Sequence, residues 1–159
     1  MDVLVKDLAA HPVQAVAGQT AQAQDYIAAI LAQTGRADVS LATFSTGERF
    51  IRAMLRLKDA GLAGRLTLLA DTRAVRKTLN ILPLAKQAFD EVRFARTHAK
   101  FALIDAGHTR VAYVTSQNQT AGYRWEAGII TTDSAVYDTL AAALDEIITN
   151  GSTTTHDTL

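Results

Sequence analysis

Between residues 38 and 96 short apolar runs alternate with amphipathic stretches of helical period, and that alternation narrows the fold more than any other property of the chain. Residues 38–44 alternate as a strand, and Ser45 then stands three positions before Glu48, the spacing of a capping box. Over 47–60, Phe50, Ile51, Met54, Leu55 and Leu57 recur at helical spacing, Arg49, Arg52, Arg56 and Lys58 fill the remainder, and Gly61 and Gly64 supply the stop. Residues 65–70 form an apolar strand bounded by Asp71, a residue type able to cap a helix beginning near Thr72. That helix carries Arg73, Arg76 and Lys77, is interrupted at Pro83 and resumes to Phe89; residues 91–96 are a third strand. A strand-helix-strand-helix-strand series predicts parallel neighbours joined by right-handed crossovers. The expected class is α/β, a mixed, mostly parallel central sheet flanked by helices.

Around this centre, residues 20–33 place Ala23, Tyr26, Ile27, Ile30 and Leu31 on one helical face, with Gly35 as the stop. Residues 1–17 hold only short apolar clusters around Pro12 and read as an extended or irregular lead-in. Residues 101–105 and 110–115 predict an antiparallel hairpin across 106–109, with Gly107 in the turn. A last strand is expected at 128–131, then a helix capped by Ser134 with Val136, Tyr137, Leu140, Leu144, Ile147 and Ile148 inward. The expected organisation is one domain over 1–149 and a polar, flexible tail at 150–159. No internal repeat is visible.

Cysteine is absent, which removes disulfides and cysteine metal sites. The first seven residues lack the basic region and apolar core of a secretion signal, and no apolar run approaches a membrane span, so the expectation is a cytoplasmic protein without membrane insertion. Net charge is zero, but it is segregated: residues 49–100 carry twelve Lys/Arg against four Asp/Glu, 1–48 carry two against five, and 101–159 two against seven. A basic middle third fits a polyanionic partner, or else the solvated faces of two helices.

The chemistry concentrates at residues 97–126. His98 and Lys100 stand two apart before an apolar run, and a period of two predicts both side chains on one strand face. A neutral imidazole can attack phosphorus and an ammonium can hold a phosphoryl oxygen, so the pair reads as a phosphate site that needs no metal. Asn118 offers an amide donor from the next strand end and Ser116 a hydroxyl. Asp105 lies seven residues from His98, an odd interval that turns it to the opposite face and gives it a structural role.

His98-x-Lys100-x4-Asp105, then Ser116-x-Asn118 and Glu126, resembles the His-Lys-Asp signature of the phospholipase D superfamily. The resemblance implies a phospholipase D/nuclease-like α-β-α sandwich and a metal-independent phosphodiesterase working without a cofactor through a phosphohistidine. It also implies that Glu126 orients the imidazole through its second nitrogen. In that family two signatures meet face to face, because one imidazole cannot stay bonded to phosphorus and also protonate the leaving oxygen. This chain holds one copy, so a homodimer with a shared site is expected. The pattern departs from the family at Thr115, where glycine usually precedes the serine, and in a shorter interval from Ser116 to Glu126.

For substrate, a nuclease is the first reading, with Arg73, Arg76, Lys77, Arg93 and Arg96 as material for a cationic path along DNA or RNA. Trp125 and Tyr123 could stack on a base or pack in a core or dimer contact. A weak or inactive phosphate- or nucleic-acid-binding dimer is the alternative, and a phospholipase D-type lipid hydrolase a third. His108, His11, His156 and Ser45 read as loop, tail or cap residues.

Overall fold

The computed structural model describes residues 3–74, 76 and 80–151, together with the backbone of 153 and 154. One eight-stranded mixed sheet runs in the order β1-β7-β6-β5-β2-β3-β4-β8. The strands are β1 (Val13–Gly18), β2 (Ala37–Thr43), β3 (Ala63–Asp71), β4 (Glu91–Ala95), β5 (Phe101–Asp105), β6 (Arg110–Thr115), β7 (Glu126–Thr131) and β8 (Thr153–Thr154). The helices are α1 (Ala23–Thr34), α2 (Glu48–Asp59), α3 (Leu82–Ala88) and α4 (Ser134–Glu146). The expected α/β class and mixed sheet hold, but most of the ladders are antiparallel rather than parallel. The parallel part is β2-β3-β4, and the ladders on either side of it are antiparallel.

Two apolar layers sandwich the sheet. On one face Ile30 and Leu31 of α1, Phe50, Ile51 and Met54 of α2, and Ala85 and Ala88 of α3 pack on Leu41, Leu66, Leu68, Ile104 and Ile130. On the other, Tyr137 and Leu144 of α4 pack on Ala42, Leu69, Phe101, Leu103 and Ala112. Each fully buried aliphatic or aromatic side chain contributes roughly 1.5–3 kcal/mol. Alternation along β5 divides its residues between the layers: Phe101 and Leu103 face α4, and Ala102 and Ile104 face α1 and α2. The predicted hairpin forms with Phe101 opposite Val114 and Asp105 opposite Arg110, its turn closed by Gly107 at φ 83°.

Several local expectations are corrected. Residues 13–18 are strand β1, antiparallel to β7, rather than lead-in. Its inward positions are Gln14 and Val16 and its outward ones Val13, Ala15 and Ala17, so no hydrophobic alternation marks it. Ser45 does not cap α2. The N-cap is Gly47, and the Ser45 carbonyl instead accepts from Thr43 Oγ1 (2.8 Å) and the Gln119 N–H (3.1 Å). Pro83 lies in the first turn of α3, where its missing N–H costs nothing, rather than inside a longer helix. Asp133, not Ser134, caps α4 by accepting from the Val136 N–H (3.0 Å), and Val136 faces outward at 40% exposure. Thr153 and Thr154 pair with Phe94 and Arg93; the rest of the predicted tail beyond Gly151, with His156, lies outside the described residues.

Candidate active site

The registers bring one set of strand ends together. Ala42 lies opposite Phe101, Phe101 opposite Val114, Thr115 opposite Gly128 and Glu126 opposite Gly18. The ends of β2, β3, β4, β6 and β1 and the starts of β5 and β7 therefore share one edge of the layer. Phe44, Asp71, Arg96, His98, Lys100, Thr115, Ser116 and Glu126 all sit there, and ligands of open α/β sheets bind at the carboxyl ends of the parallel strands. Asp105 lies at the opposite end, where its Oδ1 accepts the Gly107 N–H (2.8 Å) and shapes the hairpin turn. His108 and His11 are exposed far from this edge.

His98 and Lys100 are not on a regular strand, contrary to the period-two expectation, because β5 begins at Phe101. The last rung of the β5-β6 ladder there is the Thr115 N–H on the Lys100 carbonyl (3.0 Å). The preceding N–H groups are diverted: that of Thr97 donates to Asp71 Oδ2 (2.8 Å) and that of Ala99 to Thr97 Oγ1 (3.1 Å). The two side chains still meet. Lys100 Nζ lies 3.3 Å from His98 Nδ1 and donates to the His98 carbonyl (2.9 Å). An ammonium carries only donors, so with Lys100 charged Nδ1 is the ring's acceptor and the neutral imidazole holds its hydrogen on Nε2.

Asp71, read from the sequence as a helix cap, is central to this edge. It is 0% exposed, and its Oδ1 accepts from both the backbone N–H (2.7 Å) and Nε (3.0 Å) of Arg73, next to the short 3₁₀ turn Thr72–Ala74. Burial pushes its carboxyl up, but the hydrogen bonds from Arg73 and Thr97 and the guanidinium charge bring it to a net value below the usual carboxylate range. Arg73 in turn lies over Phe44, its guanidinium carbon 5.2 Å from the ring centroid, and the Phe44 ring tilts against the imidazole at 5.3 Å and 55°. Neither Phe44 nor the Asp71–Thr97 bond was found from the sequence. The available signal was a carboxylate and an aromatic at the carboxyl ends of adjacent parallel strands.

Ser116 and Glu126 meet each other: Ser116 Oγ donates to Glu126 Oε2 and accepts the Ala127 N–H (3.1 Å). The Glu126 carboxylate is thus placed on Ser116, and no hydrogen bond joins it to His98. Thr115, standing where the resemblance expects glycine, accepts the Gln117 N–H on its Oγ1 (3.0 Å). Asn118 is half-buried with no partner on its Oδ1 among the described residues. The segment carrying it is pinned to the start of α2, with Gly47 N–H donating to Gln119 O (2.8 Å).

Of the basic residues, Arg73 and Arg96 lie at this edge, Arg76 is exposed, and Lys77 lies outside the described residues. Arg93 is held by Glu91 (2.7 Å) within β4. Trp125 and Tyr123, at 75% and 77% exposure, are in no core and shortly precede Glu126. Among the described residues no three His, Cys, Asp or Glu side chains gather as metal donors. No helix among them is long and apolar enough to cross a membrane.

This chain has the fold of the phospholipase D superfamily. Nuc of Salmonella typhimurium, a phospholipase D family member, superposes with a TM-score of 0.65 at 12% identity, over 87% of this chain and 96% of Nuc. Polyphosphate kinase of Porphyromonas gingivalis gives 0.61 at 17% identity over 86% of this chain, which spans only 26% of the kinase. TrmBL2, an archaeal chromatin protein, gives 0.60 at 14% identity over 89% of this chain and 53% of TrmBL2. No family model and no curated protein sequence matches the chain.

Proposed function

We propose that the protein is a phosphodiesterase acting on DNA or RNA through a phosphohistidine, at a site completed by a second copy of the chain. The observation that carries this is the imidazole of His98 and the ammonium of Lys100, 3.3 Å apart at the sheet edge that also presents Ser116, Asn118 and Glu126. Support for a nucleic acid comes from near full-length likeness to a nuclease-named protein and from likeness to a DNA-binding chromatin protein.

In this reading the hydrogen-free imidazole nitrogen attacks phosphorus while Lys100 moves from the ring and the His98 carbonyl to an equatorial phosphoryl oxygen. A P–N bond forms, the P–O bond to the leaving group breaks, and the second copy's imidazolium gives its proton to the departing oxygen. That imidazole then takes a proton from water, the hydroxide attacks phosphorus, and the P–N bond breaks. Asn118 donates to a second phosphoryl oxygen.

A noncatalytic phosphate- or nucleic-acid-binding dimer is the second reading, favoured by Glu126 being engaged by Ser116 instead of His98. Incubation with single-stranded DNA, RNA and bis(p-nitrophenyl) phosphate in EDTA separates the two. Cleavage that falls by roughly 10²–10⁴-fold in His98→Ala supports the enzyme. Salt-sensitive binding without turnover supports the module, and turnover confined to phosphatidylcholine vesicles would overturn the nuclease.

A further inference from the structure

Among the described residues Arg73 is a basic side chain at this edge that is both fixed in direction and open to solvent. Its Nε is tied to buried Asp71 (3.0 Å) and its plane lies over Phe44 (5.2 Å), yet its side chain is 65% exposed. Neither Nη group has an acceptor among the described residues. A guanidinium carries five N–H donors, more than one carboxylate oxygen takes up. Here the carboxylate takes the Nε–H, which leaves Nη–H donors for another acceptor.

The same carboxylate sets the distance to the reaction centre. Asp71 Oδ1 holds Arg73 and its Oδ2 holds the N–H of Thr97, the residue before His98. Phe44 packs against both the guanidinium (5.2 Å) and the imidazole (5.3 Å). Lys100 lies against the imidazole itself, whereas Arg73 and the imidazole share Phe44 as a neighbour. Along a nucleic-acid strand successive phosphates follow at about 3.4 Å of axial rise, so a phosphate held at His98 brings a neighbouring phosphate of the same strand beside it.

We propose that the Nη groups of Arg73 bind a phosphate adjacent to the scissile one, with Asp71 as anchor and Phe44 packed against the guanidinium. This rests on the phosphodiester reading of the His98 site and narrows its substrate to one carrying successive phosphates. A polynucleotide is favoured over inorganic polyphosphate because Trp125 and Tyr123, exposed on the same edge, give ring faces on which bases stack.

The test has a binding arm and a turnover arm. In the binding arm, anisotropy of a fluorescent single-stranded oligonucleotide is titrated against salt for His98→Ala and for His98→Ala with Arg73→Ala. Loss of one phosphate contact should weaken binding about 10-fold at low salt and reduce the slope of log K against log salt by about one. Arg73→Lys should restore the slope, because charge suffices for it, and Arg73→Gln serves if the alanine variant does not fold. In the turnover arm, the ratio of kcat/KM for the oligonucleotide to that for bis(p-nitrophenyl) phosphate should fall at least 10-fold in Arg73→Ala, chiefly through KM. An unchanged salt slope overturns the proposal, as does tighter competition by polyphosphate than by the oligonucleotide. Failure of the catalytic reading looks different: the wild-type chain then turns over neither substrate while the slope still changes with Arg73.

Discussion

Asp71 distributes its two oxygens between Arg73 and Thr97, the latter 26 residues further along the chain, and thereby fastens the segment carrying His98 to the end of β3. Replacing it by asparagine leaves one acceptor oxygen and turns an amide N–H₂ toward an N–H donor. Asp71→Asn should destabilise by about 1–3 kcal/mol, the cost of an unsatisfied buried polar group, and lower Tm by several degrees in a thermal melt. The pH dependence has a definite sign. Asp71, Asp90 and Glu91 all titrate below their ordinary values, Asp90 through its hydrogen bond from Lys58 and Glu91 through that from Arg93, with burial opposing. Depressed carboxylates add stability above their unfolded values near 4 and lose it as pH falls through the folded ones. Urea midpoints should therefore drop below about pH 4, with a smaller drop in Asp71→Asn; equal drops would exclude Asp71 as a contributor. The sequence made His98, Lys100, Ser116, Asn118 and Glu126 visible because they are close together in the chain. Asp71 and Phe44 were not, because their partners are brought to them by the parallel ladders and not by local spacing.

At the scale of elements, the contact between β6 and β7 decides where Glu126 and Thr115 can sit. Gly128 lies opposite Thr115, and a Cβ there would stand 2.6 Å from the Val114 carbonyl oxygen and 2.9 Å from the Tyr113 ring. That ring is itself packed on Tyr26 at 5.3 Å, so it has little room to yield, and burial pushes its hydroxyl's pKa well up. Gly128→Ala should cost about 1–3 kcal/mol by overpacking and lower activity by displacing Glu126. Gly122→Ala, where a Cβ meets nothing within 4 Å, should leave the denaturation midpoint unchanged. Similar losses at both positions would refute the steric account. Elements with strong periodicity, such as α1, α2 and the 101–115 hairpin, were legible. β1 was not, because it is an edge strand whose inward residues include Gln14, satisfied by hydrogen bonds to the Lys6 and His11 carbonyls rather than by apolar contact. The segment from His98 to Lys100 misled differently: its residues have strand spacing but stay off the ladder, because the N–H groups of Thr97 and Ala99 go to Asp71 Oδ2 and Thr97 Oγ1.

For the whole molecule the decisive question is stoichiometry, since the proposed reaction uses two imidazoles and one copy of the chain carries one signature. His98 is exposed at the sheet edge rather than enclosed, as the proposed sharing of one phosphate by two copies requires. Mixing experiments read this directly. If active sites are shared and subunits exchange at random, equal parts of wild-type and His98→Ala protein yield about a quarter wild-type pairs. Activity per wild-type chain then falls to about half, and it falls in proportion to the wild-type fraction as more mutant is added. Independent sites would keep activity per wild-type chain constant at every ratio. Sedimentation of the same mixtures fixes whether pairs form, so a constant specific activity from a stable dimer would locate a complete site within each chain and require a proton donor other than the second His98.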